Sequence, residues 1–145
     1  MTRPIAAGAI AAGAIRHGRH YPDGMSTERQ PLTSPECVFC RIVAGEVPAT
    51  IVAADDEAVA FRDTHPQAPL HVLVVPRDHH ADVAQLAAAD PTLLAAVIRL
   101  ANEVAEAEAG GQFRLIFNTG AASGQSVFHA HGHVIGGQRL GWSPA

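Results

Sequence analysis

From Pro35 onward the apolar positions of this chain switch between two periods, and each switch marks an element. Cys37–Ala44 carries apolar residues at Val38, Phe39, Ile42 and Val43, a spacing that predicts one or two helical turns. Thr50–Ala54 and Ala58–Phe61 read as short strands separated by the acidic turn Asp55-Asp56-Glu57. His71–Val75 (HVLVV) is the strongest strand signal and is closed by Pro76, which has no N–H to extend a ladder. Ala81–Ala89 is predicted as a short helix, and a longer one follows. There Asp90 is placed to cap, Pro91 takes the first helical position and Gly110-Gly111 stop the helix. Phe113–Phe117 and His131–Ile135 complete the set as strands. One long helix, one or two short ones and about five strands predict an α+β fold with an antiparallel sheet.

The long helix has two apolar flanks: Leu94, Val97, Ala101 and Val104 form one, and Leu93, Ala96 and Leu100 the other. A surface that wide exceeds what one sheet face covers. It fits either deep burial within the domain or contact with a partner subunit.

The first stretch is different. Ala6–Ile10 and Ala11–Ile15 are the same pentapeptide, AAGAI, and a Pro/Gly/Ser/Thr-rich run leads on to Pro35. Arg3 before an apolar run resembles the start of a signal peptide, but no small-x-small cleavage site follows. The run is short and glycine-rich for a membrane span. Residues 1–34 are expected to be a disordered tail, with Met25 offering a second start, and 35–145 to be one domain.

Composition narrows the chemistry. The net charge is −4, with ten arginines and no lysine. That balance speaks against a general nucleic-acid binder, and the lack of lysine removes Schiff-base and P-loop chemistry. The two cysteines form Cys37-x-x-Cys40, a spacing suited to a metal or redox pair and to a cytoplasmic protein rather than to an extracellular disulfide framework.

Three of the nine histidines stand at alternate positions in His129-Ala130-His131-Gly132-His133. In a strand they would share one face. His129 and His133 would then lie roughly 13 Å apart at about 3.3 Å per residue, so one ion holding all three would be strained. A catalytic row, with one imidazole attacking and its neighbours binding a charged substrate, is the second reading. A plain surface run or tag remnant is the third, although tags are contiguous and terminal. The loop Asn118–Ser126 sharpens the choice. Its glycines permit a nest of N–H groups, and Gln125 and Ser126 add side-chain donors, which is what attack on a phosphate needs.

The segment from Gly124 through Gln125, Ser126, Val127 and the histidine row to Gly137 resembles the signature of the histidine triad (HIT) superfamily. Phe61-Arg62-Asp63, the run Pro66–Pro76 and Trp142-Ser143-Pro144 resemble its branch of histidine triad nucleotide-binding proteins, and the likeness spans Cys37 to Pro144. The resemblance implies the HIT-like fold, with the sheet continued across a homodimer. It also implies hydrolysis of purine nucleoside phosphoramidates at the P–N bond of the α-phosphate. His131 would be the nucleophile, forming a nucleotidyl-histidine intermediate. His133 and His71 would hold phosphate oxygens or the leaving group, His129 would orient the attacking ring, and Ser126 would relay a proton. Phe39, Ile42 and Phe61 would line the base pocket and Asp63 would take the ribose hydroxyls. Asn118, Gly124, Gln125, Ser126 and Val127 would complete the nucleotide site. Some bacterial members carry a structural zinc, whose ligands here would be Cys37, Cys40, His79 and His129, with His80 able to replace His79. No metal is needed for the chemistry itself.

The chain departs from the family pattern at Ala130 and Gly132, where bulky apolar residues are usual, and at Arg62, where animal members tend to have histidine. Other readings remain: a dinucleoside polyphosphate hydrolase, a nucleotide-binding regulatory protein whose hydrolysis is incidental, or a metal-binding protein. A nucleotidyl transferase of this superfamily would have glutamine in place of His133.

Overall fold

A computed structural model describes residues 32–142. The AAGAI repeat, Met25, Ser143 and Pro144 lie outside the described residues. The order is α1 (Val38–Val43), β1 (Ile51–Ala54), β2 (Ala58–Arg62), β3 (Leu70–Pro76), α2 (Val83–Ala89), α3 (Pro91–Ala109), β4 (Phe113–Phe117) and β5 (Gly132–Gly136). The strands form one five-stranded sheet, β1-β2-β3-β5-β4, in which every pairing is antiparallel. The α+β expectation is borne out. No helix among the described residues is long and apolar enough to cross a membrane.

α3 is set by the local chemistry read from the sequence. Asp90 accepts a hydrogen bond from Leu93 N at 3.0 Å, Pro91 opens the helix, and Gly110 ends it at φ 61°, a conformation that favours glycine. Both apolar flanks are covered within the chain. Leu93, Val97, Leu100, Ala101 and Val104 join Val72, Val74 and Val134 in one core between α3, α2 and the sheet. The width of the apolar surface therefore reflects burial inside the domain.

The opposite face of the sheet carries a second, smaller core of Phe39, Val59, Phe61, Leu73 and Val75, closed by α1. Because side chains alternate along a strand, His71 and His133 fall on this face with Leu73. Leu32, at the end of the tail expected from the sequence, is tied to the domain. Its N–H donates to Asp78 at 3.2 Å, and its carbonyl accepts from His79 N at 2.7 Å.

One expectation needs correction. The alternation predicts the three imidazoles on one face of an extended strand, with the strand itself over His131–Ile135, but of the three histidines only His133 lies in β5. The register Val74↔Gly132 would next set Ala130 opposite Pro76, which has no N–H for the ladder. Ala130 N–H donates instead to the His80 carbonyl at 2.7 Å. The chain thus joins the sheet only at Gly132, after His131, and the three rings point into different surroundings.

Candidate functional site

Gly132 allows β5 to sit close beneath β4. A Cβ added there would lie 2.8 Å from Leu115 Cδ1 and 3.0 Å from Phe117 Cζ. The space that a side chain would take at Gly132 is filled here from the neighbouring strand.

Each ring of the row has its proton placed by a fixed backbone group. His131 Nδ1 lies 2.7 Å from the His129 carbonyl oxygen. A carbonyl only accepts, so Nδ1 carries the proton and Nε2 keeps a bare lone pair. Phe39 packs edge-on against this ring at a centroid distance of 5.1 Å and holds its plane. Burial pushes the His131 pKa down, opposed by the His129 carbonyl and by Asp63, which favours an uncharged ring whose Nε2 lone pair is available for chemistry.

His133 sits 5.1 Å from His131, ring to ring. Its proton is placed through His71. The Gln67 backbone N–H donates to His71 Nδ1 at 2.9 Å, so the neutral His71 ring carries its proton on Nε2. That Nε2 faces His133 Nδ1 at 3.0 Å and Asp63 Oδ2 at 3.3 Å. A donor there leaves His133 Nδ1 as acceptor and His133 Nε2 as a donor. Burial, helped by repulsion from His131 and His71, lowers the His133 pKa to about 4 against the pull of Asp63.

His129 is fully buried, and its Nε2 donates to the Pro76 carbonyl at 2.8 Å. Its bare Nδ1 therefore points into a cluster with Cys37 Sγ at 3.5 Å, Cys40 Sγ at 3.5 Å and His79 Nδ1 at 3.2 Å. Cys40 Sγ and His79 Nδ1 are 3.4 Å apart. Tetrahedral zinc, with bonds of about 2.0 Å to nitrogen and 2.3 Å to sulfur, keeps its donors roughly 3.3 to 3.8 Å from one another. Two thiols and two imidazoles with these separations are close enough to bind a metal, and the donor set is compatible with zinc. Burial lowers the pKa of His129 to about 4 and also lowers that of His79, so both rings present lone pairs. Burial raises the Cys40 thiol, a tendency that a bound cation reverses. His79 supplies the fourth donor, whereas His80 is outside the cluster with its buried Nε2 unpartnered.

Asp63, His71 and His133 also stand within ligand distance of one another. That trio is a poor metal site, because the Gln67 N–H occupies the lone pair of His71 Nδ1 and keeps the proton on Nε2. It is a hydrogen-bond chain instead. The row thus divides: His129 belongs to the cysteine cluster, His133 to the Asp63–His71 chain, and His131 to neither.

The remaining candidate residues take distinct places. Phe39 and Phe61 meet edge-on at 5.4 Å and are buried, while Ile42 is partly exposed beside them. Asp63 Oδ1 accepts from His65 N at 2.7 Å, and each carboxylate oxygen retains a further lone pair. Asn118 Nδ2 lies beside Gly124, 3.9 Å from where a Cβ would stand. Ser126 is exposed and Val127 half-buried. Gln125 differs from expectation: its carboxamide is consumed by backbone groups and offers no free donor to a phosphate. Arg62 is ion-paired with Glu108 of α3 at 2.7 Å.

The residues that the sequence did not reveal are the backbone groups of Gln67 and Pro76, which place protons on His71 and His129. No residue type signals them, because any residue but proline at position 67 has the same N–H and any residue at 76 the same carbonyl.

A model of the HIT domain matches residues 44–140. The chain belongs to the HIT family. A HIT-like protein of Synechocystis is 42% identical over 110 residues, covering 75% of this chain and 96% of its own. Among solved structures, a HIT family hydrolase from Clostridium thermocellum superposes with a TM-score of 0.72 at 41% identity, covering 77% of this HIT chain and 98% of the other. A hypothetical histidine triad nucleotide-binding protein from Sulfolobus tokodaii superposes with a TM-score of 0.60 at 30% identity, covering 69% and 68%. The Cys37 and Cys40 thiols lie outside the matched domain, in the segment that closes the second core.

Proposed function

We propose that this HIT protein hydrolyses purine nucleoside phosphoramidates at the P–N bond of the α-phosphate. The observation that carries the reading is the His131–His129 hydrogen bond, which leaves one neutral, unshared imidazole nitrogen in a site of donors. The named activity of the Clostridium relative and the named ligand class of the Sulfolobus one support it.

His131 Nε2 attacks phosphorus as the P–N bond to the amine breaks, and Nδ1–H against the His129 carbonyl stabilises the charge that the ring acquires. His133 Nε2–H and the Ser126 hydroxyl face the phosphoryl group, one steadying a non-bridging oxygen and the other protonating the departing amine. Water then attacks the nucleotidyl-histidine, giving its proton back to the group that protonated the amine, which releases the nucleotide and restores His131. Asp63 takes the ribose hydroxyls, and Ile42, backed by Phe39 and Phe61, takes the base. Asn118, Ser126 and Val127 take the phosphate, with Gly124 and Gln125 shaping the turn.

Cys37, Cys40, His79 and His129 hold a structural zinc in this reading, which stiffens the base of the site and takes no part in the chemistry. Both cysteines are free thiols, which suits a reducing, cytoplasmic setting. β4 is an edge strand with Ile116 exposed, and a homodimer that continues the sheet across β4 would cover it.

The test is a fluorogenic adenosine phosphoramidate assay of wild type against His131→Ala and His131→Asn. Turnover by wild type and its loss in both variants supports the reading, and equal turnover by all three removes it.

A further inference from the structure

Gln125 lies at the start of the turn that leads into the histidine row, and its side chain is 4% exposed. Every polar atom of that side chain is used inside the protein. Oε1 accepts from Gly120 N at 2.9 Å, and Nε2 donates to the Ala81 carbonyl at 2.7 Å and the Val127 carbonyl at 3.1 Å. Its own N–H donates to the Gly120 carbonyl at 3.2 Å. One carboxamide therefore ties together both ends of the 120–127 turn and the segment before α2. The same segment carries the His80 carbonyl that fixes Ala130.

The bond to Val127 has a directional consequence. In a trans peptide the C=O and the following N–H point oppositely, so drawing the Val127 carbonyl toward Gln125 turns the Phe128 N–H away from it. Among the described residues no hydrogen bond takes up the N–H of Ser126, Val127 or Phe128. Ser126 and Phe128 are exposed. Unpaired N–H groups on a surface turn can form an anion receptor where they converge.

We infer that Gln125 is a positioning residue that never touches the phosphate. It holds the turn so that the N–H groups of Ser126, Val127 and Phe128 face the 5′-phosphate of a bound nucleotide. The inference rests on the nucleotide reading above, and the experiment separates the two. Calorimetry compares AMP with adenosine, which lacks the phosphate, on wild type and on Gln125→Met, a variant that keeps the volume but not the hydrogen bonds.

The expected result is that Gln125→Met binds adenosine within about twofold of wild type, loses at least about tenfold in AMP affinity, and drops about a hundredfold in kcat on the phosphoramidate. General destabilisation would not split AMP from adenosine. A wild type that prefers AMP, with a Gln125→Met variant that keeps that preference, overturns this inference alone. A wild type that binds both equally overturns the nucleotide reading and this inference with it. Amide NMR of wild type gives a reading free of any folding defect in the variant. On AMP addition the Ser126, Val127 and Phe128 N–H signals are expected to move downfield while the Gln125 carboxamide protons stay protected from exchange. Movement of the carboxamide signals onto the phosphate instead overturns the inference.

Discussion

His131 Nδ1 donates to the backbone carbonyl of His129 across 2.7 Å, and that bond decides which nitrogen of His131 can react. The carbonyl belongs to the residue whose ring lies in the cysteine cluster, so the two sites share the backbone of residue 129. Because a main-chain carbonyl has no protonated form near neutrality, the tautomer of His131 is fixed at every working pH.

The pH dependence follows from the depressed pKa of His133, about 4 in the fold against an ordinary 6.5. Between these values the unfolded chain binds the proton and the folded one does not, so stability rises with pH across that window. The contribution is complete above pH 6.5 and is lost as pH falls toward 4, by about 3 kcal/mol from this one group. Denaturant unfolding from about pH 7 down to about pH 4 is expected to show this slope, to which His129, also lowered to about 4, contributes as well. His133→Gln is expected to make the slope shallower without abolishing it. A variant as acid-sensitive as wild type would contradict the assignment.

The metal cluster predicts stoichiometry. Purified wild type is expected to carry about one zinc per chain by elemental analysis, and Cys37→Ser or Cys40→Ser to carry far less. Chelation is expected to lower the Tm of wild type and to leave Cys40→Ser unchanged, since binding to the native state alone stabilises it. Wild type free of zinc after expression in zinc-supplemented medium would count against the site.

Gly132 is where the strand pair has least room. Gly132→Val forces its side chain into Leu115 and Phe117, and a loss of about 1–3 kcal/mol in chemical denaturation is expected. Adding Leu115→Ala to Gly132→Val is expected to recover part of that loss, because the two share one space. Additive losses would place the strain elsewhere.

Much of the fold was legible because its signals are local. Asp90, Pro91 and Gly110 bound α3 as their chemistry dictates, and Phe113–Phe117 forms β4 with the ends expected. The Cys37, Cys40, His79 and His129 grouping was legible only through the family resemblance, since 89 residues separate Cys40 from His129. The strand path of the histidine row was misjudged because alternation alone does not reveal that Pro76 stands opposite Ala130 and ends the ladder. Gln125 was read as a phosphate donor for a similar reason. A glutamine in a Gly/Ser loop shows its hydrogen-bonding capacity in sequence, but not that Ala81 and Val127 have already taken it.

The most direct test is to trap the intermediate. Rapid acid-free quenching of wild type turning over an adenosine phosphoramidate, followed by peptide mass spectrometry, is predicted to find one adenylyl group on His131, absent from His131→Asn. An adduct on another residue, or steady turnover by His131→Asn, would contradict the account.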